Sequence, residues 1–218
     1  MQPPLFLKLS VAILCLIASP TANAGTVRWA SADYVNLYFR IYNGHEPLPH
    51  LREAKQRALF NHLIDPENLT GIQSASMSTD DKLHQLEIIM AMLGSYRARY
   101  NYAVFVGEPL EQELAMVQAY QLQAMASIAK LSPHNSPRAA WVTLIGGVID
   151  AVGNHQIYST RQNAIMAEAI VHNYPAIAPM LSNEERIIIR TAALKLDDGG
   201  GNDALQQAKE QILRVIVR

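Results

Sequence analysis

Residues 78–131 read STDDKLHQLEIIMAMLGSYRARYNYAVFVGEPLEQELAMVQAYQLQAMASIAKL, and this stretch decides the fold. Leu83, Leu86, Met90, Leu93, Arg97, Tyr100 and Val104 recur with alternating spacings of three and four, the period of one helix face. Ser78 or Thr79 can accept from the free amides of a first helical turn, and Asp80 and Asp81 suit its positive end. Gly107 and Pro109 mark a turn. A second helix follows from Pro109 to Leu131, with Leu114, Val117, Tyr120, Ala124, Ile128 and Leu131 inward. Two helices of more than twenty residues each, at ~1.5 Å per residue, joined by a short turn, pack as a long antiparallel hairpin.

Outward from this hairpin the chain reads as further helices. Towards the amino end, Tyr34, Leu37, Tyr38, Ile41 and Tyr42 form a stripe that Asn43-Gly44 stops. Pro47 and Pro49 open a helix with Leu51, Ala54, Ala58, Leu59 and Leu63 on its inner face, and Asp65-Pro66 ends it before a polar loop to Ser78. Towards the carboxyl end, Arg138 to about Val152 is apolar nearly all round, which predicts a buried central helix with Gly146 and Gly147 at a close crossing. A helix after Thr160 stops before Pro175. Ser182-Asn183-Glu184-Glu185 has capping-box spacing and opens the next, through Ile187, Ile188, Ile189 and Leu194. Leu205, Ala208, Ile212 and Val215 share a face of the last. Apart from Val104 to Val106, no alternating run of strand length occurs. The expectation is an all-α, single-domain bundle of about eight helices, its hairpin arranged around a buried apolar helix at 138–152.

The first 24 residues give an address. Lys8, an apolar run from Leu9 to Ala18 and Ala22-Asn23-Ala24 before Gly25 have the form of a cleaved export signal. The run is too short to cross a bilayer core of ~30 Å. The division expected is therefore residues 1–24 as signal and 25–218 as one helical domain, with no membrane span. Cys15, the single cysteine, lies in the signal, and the bulky Leu14 before it disfavours lipoprotein processing. A cysteine-free mature chain has no disulfide, thiolate or zinc–sulfur chemistry, which fits a bacterial periplasm or the medium.

Removing Lys8 leaves 17 basic against 19 acidic residues, a formal charge of −2. Nothing in that balance draws nucleic acid or an anionic membrane. Charged residues are 17% of the chain, below the usual ~25%, which points to deep burial or to a surface partly covered by a partner. Asn68-Leu69-Thr70 matches a glycosylation sequon.

No segment carries a catalytic or cofactor fingerprint. His45-Glu46-Pro47-Leu48-Pro49-His50 spaces its histidines by five across two prolines, not by the four a helical zinc motif requires. Asp197 to Asp203 lacks the ligand pattern of a helix–loop–helix calcium site in either frame. The likeness of His134-Asn135-Ser136-Pro137 to His172-Asn173-Tyr174-Pro175 does not extend to the flanks, so no repeat is supported. Neither a metal nor a cofactor is expected. Glu87, Glu108, Glu111, Glu113 and Glu168 are the carboxylates a peptidoglycan-directed hydrolase would draw on, but none sits in a recognisable motif.

Two features read as binding surfaces. Tyr96, Arg97, Arg99, Tyr100, Tyr102 and Phe105 crowd the end of the first hairpin helix, and Tyr and Arg are the residue types most often found as interface anchors. On the second hairpin helix, Gln118, Gln121 and Met125, with Met116, Leu122 and Gln123, form an uncharged face that can adapt to a partner or pack against a sister helix within the fold. The leading expectation is an exported protein that binds another protein, with Tyr96, Arg97, Arg99, Tyr102, Gln118, Gln121 and Met125 as contact residues. A cell-wall hydrolase and a small-molecule or lipid carrier are the alternatives, and self-association is left open.

Overall fold

The computed structural model describes residues 29–132, 138–196 and 203–217. The expected export signal, the expected cleavage site at Gly25 and residues 197–202 lie outside them. Among the described residues the chain forms α1 (Ser31–Tyr42), α2 (Ala54–Leu63), α3 (Pro66–Ser74), α4 (Thr79–Phe105), α5 (Glu111–Leu131), α6 (Arg138–Gly153), α7 (Thr160–Ile177), α8 (Asn183–Leu194) and α9 (Asp203–Ile216). A single 3-10 turn, Ala178–Met180, follows α7, and no strand occurs among these residues. The protein is an all-α bundle.

The helix starts follow the local chemistry. Ser78, Ser159 and Ser182 each accept from the third backbone amide of their helix, the last two within reciprocal capping boxes with Gln162 and Glu185. Gly107, at φ +92°, turns the chain between α4 and α5, a conformation that costs glycine little. The two helices then pack along one another as the hairpin.

Several expectations are corrected. Asp65-Pro66 does not lead into a loop but starts α3: Asp65 accepts from Glu67 N, and Pro66 occupies the first helical position, where its missing N–H costs nothing. The second helix starts at Ala54 and buries Gln56, Phe60 and Leu63, leaving Ala54 and Ala58 in water. Helix α7 runs through Pro175, because a proline in the last turn forfeits one backbone bond rather than a continuing ladder. On α8 only Ile189 and Ala193 are buried, and Ile187, Ile188 and Leu194 face solvent.

The central helix is α5, not the segment at 138–152. It packs on α4 along one side and on α7 along the other, with α3 and α6 closing around it. Fourteen of its positions are buried, among them Ala115, Ala124, Ala126 and Ala129, whose small side chains admit neighbours from every direction. Helix α6 buries Trp141, Leu144, Ile145, Val148 and Ile149 but exposes Gly147, and a Cβ at Gly146 or Gly147 would meet nothing within 4 Å. No close crossing exists there.

A knot of tyrosines ties the amino-terminal helices to the hairpin. Tyr34 Oη donates to Leu63 O at 2.9 Å, Tyr120 Oη to Asp65 O at 2.9 Å, and the two hydroxyls lie 3.1 Å apart. Asn68 Nδ2 donates to Tyr34 Oη and to His62 O, while its Oδ1 accepts from Trp29 N. Burial pushes the Tyr34 hydroxyl up to about 12, keeping it a protonated donor at any physiological pH. Asn68 is fully buried within this knot. A glycan on the sequon is therefore incompatible with the folded chain.

Candidate functional site

Tyr38 and Tyr42 stand four residues apart on α1, and their rings stack with centroids 6.5 Å apart. The Arg99 guanidinium, from α4, lies over both rings at 5.4 Å from each centroid. Contact with the π faces favours the cation and holds it against α1. Beneath them the Tyr38 and Tyr96 rings meet at right angles with centroids 5.7 Å apart, and the Tyr96 hydroxyl donates to Tyr34 O at 2.8 Å. The platform is thus built on the core.

The third wall is the segment after α1. Gly44, at φ +74°, reverses the chain, and Glu46 is then drawn inward. Its carboxylate accepts from Gln56 Nε2 at 2.8 Å and Arg40 Nη2 at 2.5 Å, and pairs with Lys55 Nζ at 3.2 Å. The Gln56 and Arg40 bonds hold the carboxyl at about 2, below the usual range. Pinned in this way, Pro47 and Leu48 face Ala91, Gly94, Ser95, Ala98 and Arg99 across an open groove of about 1010 Å³.

Tyr102, one turn beyond Arg99, separates this groove from a second of about 550 Å³, bordered by Phe105, Glu111, Ile157 and Tyr158. Tyr102 is 68% exposed and Phe105 84% exposed, and Tyr42, Val106 and Ile157 are also in water. An aromatic and apolar surface thus runs along the α1–α4 face to the tip of the hairpin.

Of the contact residues expected from the sequence, Arg99 and Tyr102 share this face. The others do not join them. Tyr96 is fully buried under Tyr38. Arg97 leaves α4 on the side away from Arg99 and is half-buried, and burial lowers its pKa from the ordinary value. Gln118, Gln121 and Met125 lie inside the bundle, at 8%, 5% and 0% exposure. The uncharged face of α5 is covered by neighbouring helices and offers no docking surface. Only its margin, Met116, Ala119 and Gln123, reaches solvent, in a groove of about 380 Å³ beside Ile165, Glu168 and His172 of α7.

Tyr38, Tyr42 and Glu46 are site residues that the sequence reading assigned elsewhere. The tyrosines carry the helical spacing of a core stripe, and nothing local marks Tyr42 as exposed. Glu46 drew notice only as part of a zinc pattern, yet its oxygens are taken by Arg40, Lys55 and Gln56. Among the described residues, no three His, Cys, Asp or Glu side chains come together, and no helix is long and apolar enough to cross a membrane. Comparison with protein-family models, curated proteins and solved structures finds no match.

Proposed function

We propose that the protein is exported to the periplasm, loses residues 1–24, and there binds another protein through the face formed by Tyr42, Arg99, Tyr102 and Phe105. An inhibitor or immunity factor, or an accessory of envelope assembly, acts in this manner. The observation that carries the reading is the exposure of Tyr102 and Phe105 beside a groove with an arginine fixed in its wall. Aromatic and arginine side chains dominate the energy of protein interfaces, and a contiguous exposed apolar patch marks an interaction site.

Glu46 lies in the groove as a buried carboxylate, but it does not suit the acid that the hydrolase alternative needs. A glycosidase acid needs its carboxyl raised towards neutrality by an apolar pocket. Three donors lower that of Glu46 instead, and it stays ionised.

The test is site-specific photocrosslinking in cells, with the reactive group at position 105 and, as control, at the exposed position 147 on α6. Position 105 should give one discrete adduct and position 147 none. Tyr102→Ala with Phe105→Ala should abolish capture while shifting stability by no more than ~0.5 kcal/mol, as exposed substitutions do. Absence of an adduct at 105, or equal adducts at both positions, would sink the docking surface.

A further inference from the structure

Arg99 is positioned in an unusual way for a half-buried cation. Among the described residues it makes no hydrogen bond and no ion pair, and its Nε is buried without an acceptor. Its guanidinium lies over the rings of Tyr38 and Tyr42. The guanidinium donors are therefore not engaged by the protein, and its two Nη groups match a carboxylate in two parallel hydrogen bonds. Because the stack already fixes the side chain, little rotamer entropy remains to be lost on pairing.

We infer that the groove between α1, the 46–48 segment and α4 holds an extended acidic segment of a partner protein, with one of its carboxylates gripped by the edge of Arg99. This deepens the docking reading and rests on it. Charge selects the occupant. Glu46 is already neutralised by Arg40 and Lys55, and Glu108, the other carboxylate of the wall, is exposed and screened. Taken together, Arg40, Lys55, Arg99, Glu46 and Glu108 carry one net positive charge. A monoanionic carboxylate answers it, whereas a phosphate dianion would add a second charge facing Glu46 and Glu108. The groove is open rather than enclosed and, at about 1010 Å³, has room for several residues of an extended chain. Ile41, Pro47, Leu48 and Ala91 then offer apolar contact to side chains flanking the carboxylate.

The experiment follows the Arg99 Nε–Hε resonance of the purified protein during titration with the capped pentapeptide Ala-Leu-Glu-Leu-Ala. Its Gln-centred and phosphoserine-centred counterparts are titrated in parallel. The Glu peptide should move the resonance and bind about tenfold more tightly than the Gln peptide, the effect of one charge-assisted pairing. Arg99→Gln should erase the difference between the two peptides, and Arg99→Lys should restore only part of it. Equal binding of Glu and Gln peptides, tighter binding of the phosphoserine peptide, or no movement with any of them overturns the carboxylate grip. The crosslink at position 105 separates that failure from a failure of docking. An adduct that survives in Arg99→Gln leaves docking standing without the grip, and loss of the adduct in the unaltered protein removes docking itself.

Discussion

Glu46 shows how much one side chain does here. Its carboxylate links the end of α1, through Arg40, to Gln56 of α2, and so fixes the backbone that walls the groove. The folded carboxyl titrates at about 2 against an ordinary 4.5. A group with a depressed folded pKa contributes stability that is fully present above its unfolded value and fades as pH falls through the folded one. The contribution of Glu46 is therefore whole above about pH 5 and lost on the way down to about pH 2. Glu46→Gln should lower the melting temperature at pH 7, by an amount corresponding to about 1.5 kcal/mol for the charge-assisted bonds removed. The gap between variant and parent should close by pH 2. Parallel melting curves over that range would show that the ion pair contributes nothing. No pattern around His45-Glu46-Pro47 foretells this role, because two of the three partners, Lys55 and Gln56, come from the next helix.

At the scale of the element, α5 and α6 exchange the roles that their compositions suggest. Helix α6 is rich in Ile, Val and Leu and reads as central, yet Thr143, Gly147 and Asp150 line an exposed side. Helix α5 carries Gln118, Gln121 and many alanines and reads as a surface, yet it is enclosed. Alanine is the reason. It adds little to a hydropathy pattern, but its small volume lets several helices approach, and it is readily buried. The consequence is measurable at Gly147. A glycine at a close helix crossing would make any larger residue destabilising, but Gly147 has open space where a Cβ would stand. Gly147→Ala should therefore stabilise the protein by about 1 kcal/mol, the difference in helix propensity. The urea midpoint should rise with its slope unchanged. A fall would restore the buried crossing.

For the whole molecule, the expectation concerns processing. Protein recovered after export should begin at Gly25, and its intact mass should not change on thiol alkylation, since Cys15 leaves with residues 1–24. A recovered product that still takes up the reagent would refute cleavage at that site. Export would place the Tyr102–Phe105 face in the compartment where a periplasmic partner could meet it.

Read by itself, the chain determined its class: helices, a long hairpin over 78–131, serine caps at Ser78 and Ser182, and an arginine and tyrosine cluster at the end of α4. These are relations within four residues along one helix, and the side-chain pattern records them directly. The rest was decided by contacts between residues far apart in the chain. Arg99 lies on rings more than fifty positions earlier, Tyr120 is bonded to Asp65, and Glu113 accepts from Leu51 N at 2.7 Å. Such contacts determine which of two plausible faces a neighbouring helix covers. They buried Tyr96 and Gln121 and left Tyr102 and Phe105 in water. Helical periodicity names the faces of a helix, but only the packing of all the helices together determines which of them remain free to bind.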